Sequence, residues 1–358
     1  MKIYFSSDEH LDPADKNGVV VNHNGNLVSS RLLDKINILK AIVQRAISDK
    51  CDAFISLGDL FNNLNPPEWL RELYVTEILL PLVEANIRIF LVAGNHGNEK
   101  TAIAMKSLNG FNKQFTFVHQ PTVIEEGNGS DKIVAFPYFP LNEKHKLQYW
   151  LAKYKDCVIF THLQVSGASL PGEYILLDGF PMEIFNDTKL VISGHIHKQQ
   201  GIGKVFYIGS IARNNWGEAE YRTWYGVYDT SISPSLQPKP TLDRRFLNLN
   251  INYDDKIKPE NITNSDFYQK EFVEVAKGAI IRLNVRGERH KLETFPLQEV
   301  YKKLAMWGAH NVLYNRIIEK EITVIETSNN SKSWQEIVRE KANDDQEKIN
   351  LAYELLEG

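Results

Sequence analysis

Cysteine is scarce in this chain: Cys51 and Cys157 are the two among 358 residues. Two cysteines build no disulfide framework, which points to a reducing, cytoplasmic compartment. Long apolar runs are also missing. None approaches the roughly 20 residues that span a bilayer, so no membrane association is expected. The opening residues, Met1 to Phe5, run directly into a strand pattern and leave no room for a signal peptide. Positive charge is in no surplus either, with 41 Lys and Arg against 45 Asp and Glu and a formal net charge of −4. A uniformly basic surface is thereby excluded. Contacts to nucleic-acid phosphates would have to be local or come from a partner. What remains, 43% hydrophobic and 24% charged residues, is the composition of a soluble globular chain with a sizeable core. The length allows two domains, or one large domain with appendages.

Apolar runs alternate with helical spacing. Residues 2–6 read as a strand and 11–30, rich in Asn, Gly, Asp and Ser, as a loop with room for a hairpin. Leu32, Ile36, Leu39, Ile42, Val43, Ala46 and Ile47 give one buried helical face over 31–50. Strands follow over 53–57, 87–92, 115–119, 132–136, 157–160, 190–193 and 205–208, with a proline-opened helix over 67–85. This alternation predicts an α/β fold, either one largely parallel sheet or two sheets layered between helices. Pro234, Pro238 and Pro240 mark a linker or domain boundary at 233–243. Beyond it, a strand over 279–286, a helix over 296–307 and a strand over 311–318 or 321–325 form a small α+β module. From 331 the chain is charged and helical. Trp334, Ile337 and Val338 make one apolar stripe, and Ile349, Ala352, Tyr353, Leu355 and Leu356 a second. The expected domains are 1–235, 245–325 and the tail 331–358.

Five strand-like runs end at once in a turn carrying Asp, Asn or His. The turns hold Asp8 and His10; Asp59; Asn95 and His96; His162; and His195 and His197. In an extended backbone, residues i and i+2 share a face, so His195 and His197 can point into one space, as can Asp8 and His10. Ligands of open α/β sheets gather beyond the carboxyl ends of the strands, which would bring the five turns to one rim. Carboxylate, amide oxygen and imidazole without cysteine suit hard-to-borderline divalent ions. The set exceeds the needs of one ion, and two ions sharing a bridging carboxylate account for the surplus. Such a pair clamps a phosphate and generates a hydroxide nucleophile at neutral pH.

Asp8-x-His10, Gly58-Asp59, Gly94-Asn95-His96, Thr161-His162 and Gly194-His195-x-His197, in this order, resemble the calcineurin-like metallophosphoesterase superfamily over about residues 1–215. Gly58-Asp59-Leu60-Phe61 and Tyr207-Ile208-Gly209-Ser210-Ile211-Ala212-Arg213 are similar to its DNA-repair branch, the SbcD-type nuclease subunits and recombination endonuclease subunits of tailed phages. The resemblance implies a two-layered sheet core flanked by helices, a small capping domain and a helical tail. It implies that Asp8, His10 and His197 hold one ion and Asn95, His162 and His195 the other, with Asp59 bridging. His96 would stabilise or protonate the leaving oxygen. It further implies Mn2+, with Mg2+ as the alternative, exonuclease and endonuclease action on DNA, an SMC-like coiled-coil ATPase partner docked on the tail, a homodimer, and a bacterial or phage-infected cytoplasm. Gly97 stands where the family usually has an aspartate that orients the histidine, and Asn62 replaces a second aspartate. A phosphoesterase of small phosphodiesters or phosphoproteins is the alternative, and an assembly protein with a vestigial site a further one.

Arg213, Asn214 and Trp216 are candidates for holding a backbone phosphate and stacking a base, against a plain loop with one packed tryptophan. Lys16, His23 and Arg31 in or beside 11–30, and Arg282, Arg286, Arg289, His290 and Lys291 in the small module, offer further positive charge. Solvated surfaces are the alternative in both places.

Overall fold

A computed structural model of the chain describes residues 1–95, 114–127, 131–254 and 274–319. The predicted tail at 331–358 and the residues His96 and Gly97 lie outside these. In chain order the elements are β1 (Lys2–Ser6), β2 (Val20–His23), β3 (Asn26–Ser29), α1 (Ser30–Ser48), β4 (Ala53–Ser56), α2 (Glu68–Tyr74), α3 (Leu80–Glu84), β5 (Arg88–Val92), β6 (Phe115–Val118), β7 (Thr122–Glu125) and β8 (Ile133–Ala135). They continue with α4 (Lys144–Lys153), β9 (Val158–His162), β10 (Leu190–Gly194), β11 (Gln200–Ile202), β12 (Val205–Tyr207), β13 (Trp224–Asp229) and β14 (Leu236–Pro240). Last come β15 (Phe246–Asn252), β16 (Ile280–Gly287), α5 (Arg289–Leu292), α6 (Leu297–Met306) and β17 (Asn311–Ile318).

Two sheets stack face to face, in the orders β14-β13-β1-β4-β5-β6 and β11-β12-β10-β9-β8-β7. The period-2 alternation of strand side chains sorts the cores. Ile3, Phe5, Ile55, Phe90, Phe160 and Ile192 fill the space between the sheets. Their neighbours Tyr4, Phe54, Ile89 and Leu91 turn the other way, onto Leu32, Leu39, Ile42 and Val43 of α1. On the far side Ile159 and Val191 meet Leu147 and Leu151 of α4. The result is helix, sheet, sheet, helix, the layered form of the α/β expectation. Each fully buried Phe or Ile contributes about 1.5–3 kcal/mol to holding the layers together.

The predicted helix over 67–85 is α2 and α3 joined by a π turn, Val75–Leu79. Pro81 stands just after it, and a proline inside a helix removes one N–H and clashes with the carbonyl four residues back. Widening the turn relieves both. The 11–30 segment carries the hairpin β2–β3. Of the two readings of the proline-rich stretch at 233–243, the linker is corrected, for Leu236–Pro240 is the edge strand of the first sheet, and the next strand, from Phe246, belongs to a separate sheet. Thr241 donates its N–H to the Thr223 carbonyl. By alternation the N–H positions of 238 and 240 face away from β13, which is where a strand tolerates proline. After this strand β15, β16 and β17 form a separate three-stranded parallel sheet with its own core around Leu249, Leu283, Val300 and Leu304. The sequence reading missed β15.

Candidate metal centre

β1, β4 and β5 run parallel in one sheet, and β9 and β10 in the other. Their carboxyl ends lie along one rim of the sandwich, and the turns that follow carry the candidate ligands. Asp8, His10 and His197 offer donor atoms within 4.8 Å of one another, as do Asp59, His162 and His195. Asp59 lies between the groups, its Oδ2 3.3 Å from His162 Nε2 and 3.8 Å from His10 Nε2. Asn95 Oδ1 is 2.9 Å from His162 Nε2 and 2.8 Å from His195 Nδ1. Every expected ligand among the described residues is thus brought to one place.

Local backbone geometry aims these side chains. Asp8, His10, Asp59 and His195 all have positive φ, at 53°, 43°, 54° and 84°. That conformation costs an L-residue about 1–2 kcal/mol, and such strain clusters at functional sites. Cross-links between turns hold it. Asp8 and His10 donate their N–H to the carbonyls of Gly58 and Asp59, and the His195 N–H points at both carboxylate oxygens of Asp8. Two glycines permit the close approach. A Cβ on Gly94 would lie 2.2 Å from Asp59 Oδ1, and one on Gly194 2.0 Å from Ser7 Oγ and 2.9 Å from His162 Nδ1.

The donors fit cations. His162 Nδ1 lies 2.7 Å from the Leu57 carbonyl, which makes Nδ1 the protonated nitrogen and leaves a lone pair on Nε2. That lone pair faces Asn95 Oδ1, Asp59 and His195 Nδ1, the last at 3.3 Å. In the other group His197 Nδ1 is held by Glu218 Oε1 at 2.7 Å, so its Nε2 faces His10 Nε2 at 3.2 Å and Asp8 Oδ1 at 3.6 Å. Acceptors that converge this closely, nearly all buried, need positive charge among them. Protons substitute for it in the metal-free chain. Burial, the largest influence, pushes the Asp8 carboxyl up. Burial pulls His197 down, but the Glu218 hydrogen bond and the Asp8 charge outweigh it and raise the imidazole to about 9. Burial pulls on His162 too, and Asp59 overcomes it, so that imidazole is raised likewise.

Sequence reasoning missed Glu218, which is 2% exposed and grips His197. It also missed Lys35, a buried cation pulled down to about 8 by burial, whose Nζ reaches the His10 carbonyl at 2.9 Å and Asn214 Oδ1 at 2.7 Å. Glu9, raised to about 7 by burial, is held by Ser6 and Ser56 behind the rim. The three candidate DNA contacts turn inward. Arg213 binds Asp243 and the carbonyls of Ala219 and Arg244. Asn214 donates to the Asp8 carbonyl, and Trp216 packs on Phe246 at 4.8 Å between ring centres. Cavities of about 270 Å³ beside His10, Lys16, Lys35 and Asn62, and of about 190 Å³ beside His195, His197 and Lys198, flank the ligands. A larger one of about 850 Å³, lined by Tyr4, Ile38, Arg45 and Tyr225, holds none of them.

Residues 1–199, a span that contains all five turns, match the calcineurin-like phosphoesterase family. The chain belongs to that family. Among curated proteins this phosphoesterase is 26% identical over 267 residues to SbcD of the Escherichia coli nuclease SbcCD, covering 62% of this chain and 64% of that protein. It is 26% identical over 214 residues to the DNA double-strand break repair protein Mre11 of Methanocaldococcus jannaschii, covering 56% of this chain and 55% of that one. The phosphoesterase thus spans less than two thirds of the relatives' length. Among solved structures, a dimetal phosphatase from Danio rerio overlays with a TM-score of 0.42 at 10% identity, covering 67% of this chain and 96% of that one. No helix among the described residues is long and apolar enough to cross a membrane.

Proposed function

We propose that this phosphoesterase is a two-metal DNA nuclease, working within a DNA repair or recombination complex driven by an SMC-like coiled-coil ATPase. The observation that carries the reading is the paired ligand geometry, with Asp59 beside two groups whose donor atoms could each hold one divalent ion. Similarity to SbcD and to Mre11 supports DNA as the substrate.

Asp8, His10 and His197 would hold one ion and Asn95, His162 and His195 the other, with Asp59 available to both. Two divalent ions, Mn2+ foremost and Mg2+ as the alternative, would supply Lewis acidity that offsets several kcal/mol of phosphoryl charge. The chain's own work is positional. The left-handed turns fix the donors before substrate arrives, so little reorganisation is needed at the moment of reaction. His96 protonates the leaving oxygen. The protein acts as a cytoplasmic homodimer, and the tail at 331–358 docks the ATPase.

A cleavage assay on linear single- and double-stranded DNA tests this. Mn2+ is expected to support cleavage and a chelator to abolish it. His96→Ser should keep both ions and lose turnover. Cleavage of a small phosphodiester such as bis(p-nitrophenyl) phosphate, with none of DNA even beside the ATPase, would move the assignment to the small-substrate alternative. Co-purification of the ATPase with a chain lacking 331–358 would refute the docking role.

A further inference from the structure

The two ligand groups differ in what stands behind them, and the difference leads out of the phosphoesterase sandwich. Behind Asp59, Asn95, His162 and His195 lie the Leu57 carbonyl and Gln164, both at strand ends of the two sheets. Behind Asp8, His10 and His197, in addition to Ser7 and the main-chain contacts of the strand-end turns, stands one short turn, 213–218. Glu218 Oε1 takes His197 Nδ1 at 2.7 Å and Asn215 Nδ2 at 2.5 Å, while its Oε2 accepts the Asn214 N–H at 2.9 Å. Asn214 reaches the Asp8 carbonyl through Nδ2 at 3.3 Å, and through Oδ1 it accepts from Lys35, which donates in turn to the His10 carbonyl. All three ligands of this group are therefore touched, directly or through Lys35, from a single turn.

That turn is itself held by the small C-terminal module. The Trp216 ring packs at 4.8 Å on Phe246 of β15, and the Arg282 guanidinium of β16 lies 4.6 Å above it. Phe246, Ile280, Trp216 and Leu313 share one small apolar cluster. The neighbouring Arg213 is fixed by Asp243 just before β15, and Asp243 also pairs with the buried Arg31.

We propose that the 213–218 turn makes the Asp8/His10/His197 ion site depend on the docked C-terminal module, with Glu218 as the residue that positions His197 and Trp216 as the grip of the module. The inference rests on the reading that this group holds a divalent ion. A carboxylate on the far nitrogen of a ligand histidine fixes its tautomer and ring orientation, and its loss typically costs about 10- to 100-fold in metal affinity. Because Trp216 sits two residues before Glu218, moving the module off the turn moves the carboxylate off the histidine. Displacement of the module by DNA or by a partner protein then acts on one ion and spares the other.

Equilibrium titration of the metal-free full-length chain with Mn2+, read by the free-ion electron paramagnetic resonance signal, tests this without turnover. The unaltered chain is expected to bind two ions. Glu218→Ala should weaken one of them by about 10- to 100-fold and leave the other unchanged. Glu218→Gln, which keeps an acceptor oxygen for His197, should recover most of the loss. Trp216→Leu and Arg282→Gln touch no ligand, yet should weaken the same ion. That identity is shown if neither adds to the defect of His197→Ala. The inference is overturned if both module-side variants bind two ions as tightly as the unaltered chain, or if they lose both ions in parallel. An unaltered chain that binds no Mn2+ overturns the two-metal reading together with this inference.

Discussion

Around Asp59, His162 and His195 the support is largely main chain: the Leu57 carbonyl orients one imidazole, and Gly94 and Gly194 let neighbouring turns approach within contact. Around Asp8, His10 and His197 comparable main-chain contacts, the Gly58 and Asp59 carbonyls and the His195 N–H, are joined by a set of side chains: Glu218, Asn214, Lys35 and Ser7. Main-chain support is built into the sheets and varies only if the fold does. Side-chain support can be supplied from far along the sequence, as Glu218 is, and can be lost without unfolding the sandwich. Both halves of the centre are thus tied to the fold, and the Asp8 half leans on an attachment as well.

The largest effect expected from breaking this contrast is at Asp243, whose carboxylate is fully buried between Arg31 and Arg213. Asp243→Ala takes a carboxylate from both arginines, of which Arg31 keeps Asp34, so the loss approaches the cost of a broken buried pair, about 3–5 kcal/mol, only as an upper bound. Urea unfolding should show that loss, and Mn2+ binding should fall in the Asp8 group first. Retention of both ions would remove the contrast. Next comes Gly194→Ala, whose Cβ would meet Ser7 Oγ at 2.0 Å and the Leu57 carbonyl at 2.8 Å. Overpacking of this kind costs about 1–3 kcal/mol. The clash reaches Ser7, which supports Asp8, as well as His162, so both ligand groups should weaken, and an unchanged melting temperature would show that the turns yield more easily than the packing implies.

A smaller effect separates proton from metal. Asp8, Glu9 at about 7 and His197 at about 9 all hold protons more tightly folded than unfolded. These three contributions to the stability of the metal-free chain fall as pH rises, while Lys35, pulled down to about 8, opposes them above about pH 8. The Glu9 contribution is complete below about pH 4.5 and lost as pH passes about 7. The His197 contribution is complete below about pH 6.5 and lost as pH passes about 9. Thermal melts in chelator should decline between about pH 4.5 and 8 and flatten with saturating Mn2+, because the ion takes the place of the proton. A flat profile in chelator would contradict the proton-filled cluster. The smallest effect is at Asn214→Ala, which removes hydrogen bonds worth about 1 kcal/mol and should shift only the Asp8 group. An equal shift in both groups, read by Mn2+ titration, would count against separate support.

Much of the centre is legible in the sequence because each ligand follows an apolar strand directly. The strand-end rule then converges five turns without any knowledge of long-range contacts. Glu218 is not legible. It stands more than 20 residues after the histidine it orients, in a loop with no periodicity, and a glutamate in such a loop reads as solvated. Lys35 is hidden for a related reason: on the helical face that runs from Leu32 to Ile36 a lysine looks exposed, whereas its ammonium is drawn inward to the His10 carbonyl. Arg213 and Trp216 stand out in the sequence but point inward rather than toward a substrate, since nothing local shows that a sheet 30 residues later covers them. The layered sheets follow from strand and helix alternation. The edge position of β14 does not, because proline density marks a break in regular structure and only the topology shows that this strand has a free side.

That free side has a consequence for crowding. Sheet edges invite strands from other molecules, since their unpaired N–H and C=O groups form a ready template. Along the outer side of β14 the N–H positions at 238 and 240 are occupied by Pro238 and Pro240. An incoming strand would find acceptors there and no matching donors, so its ladder would be missing every other rung. The residues that resemble a domain boundary therefore act as a stop for sheet growth, keeping one copy of the sandwich from zipping onto the next.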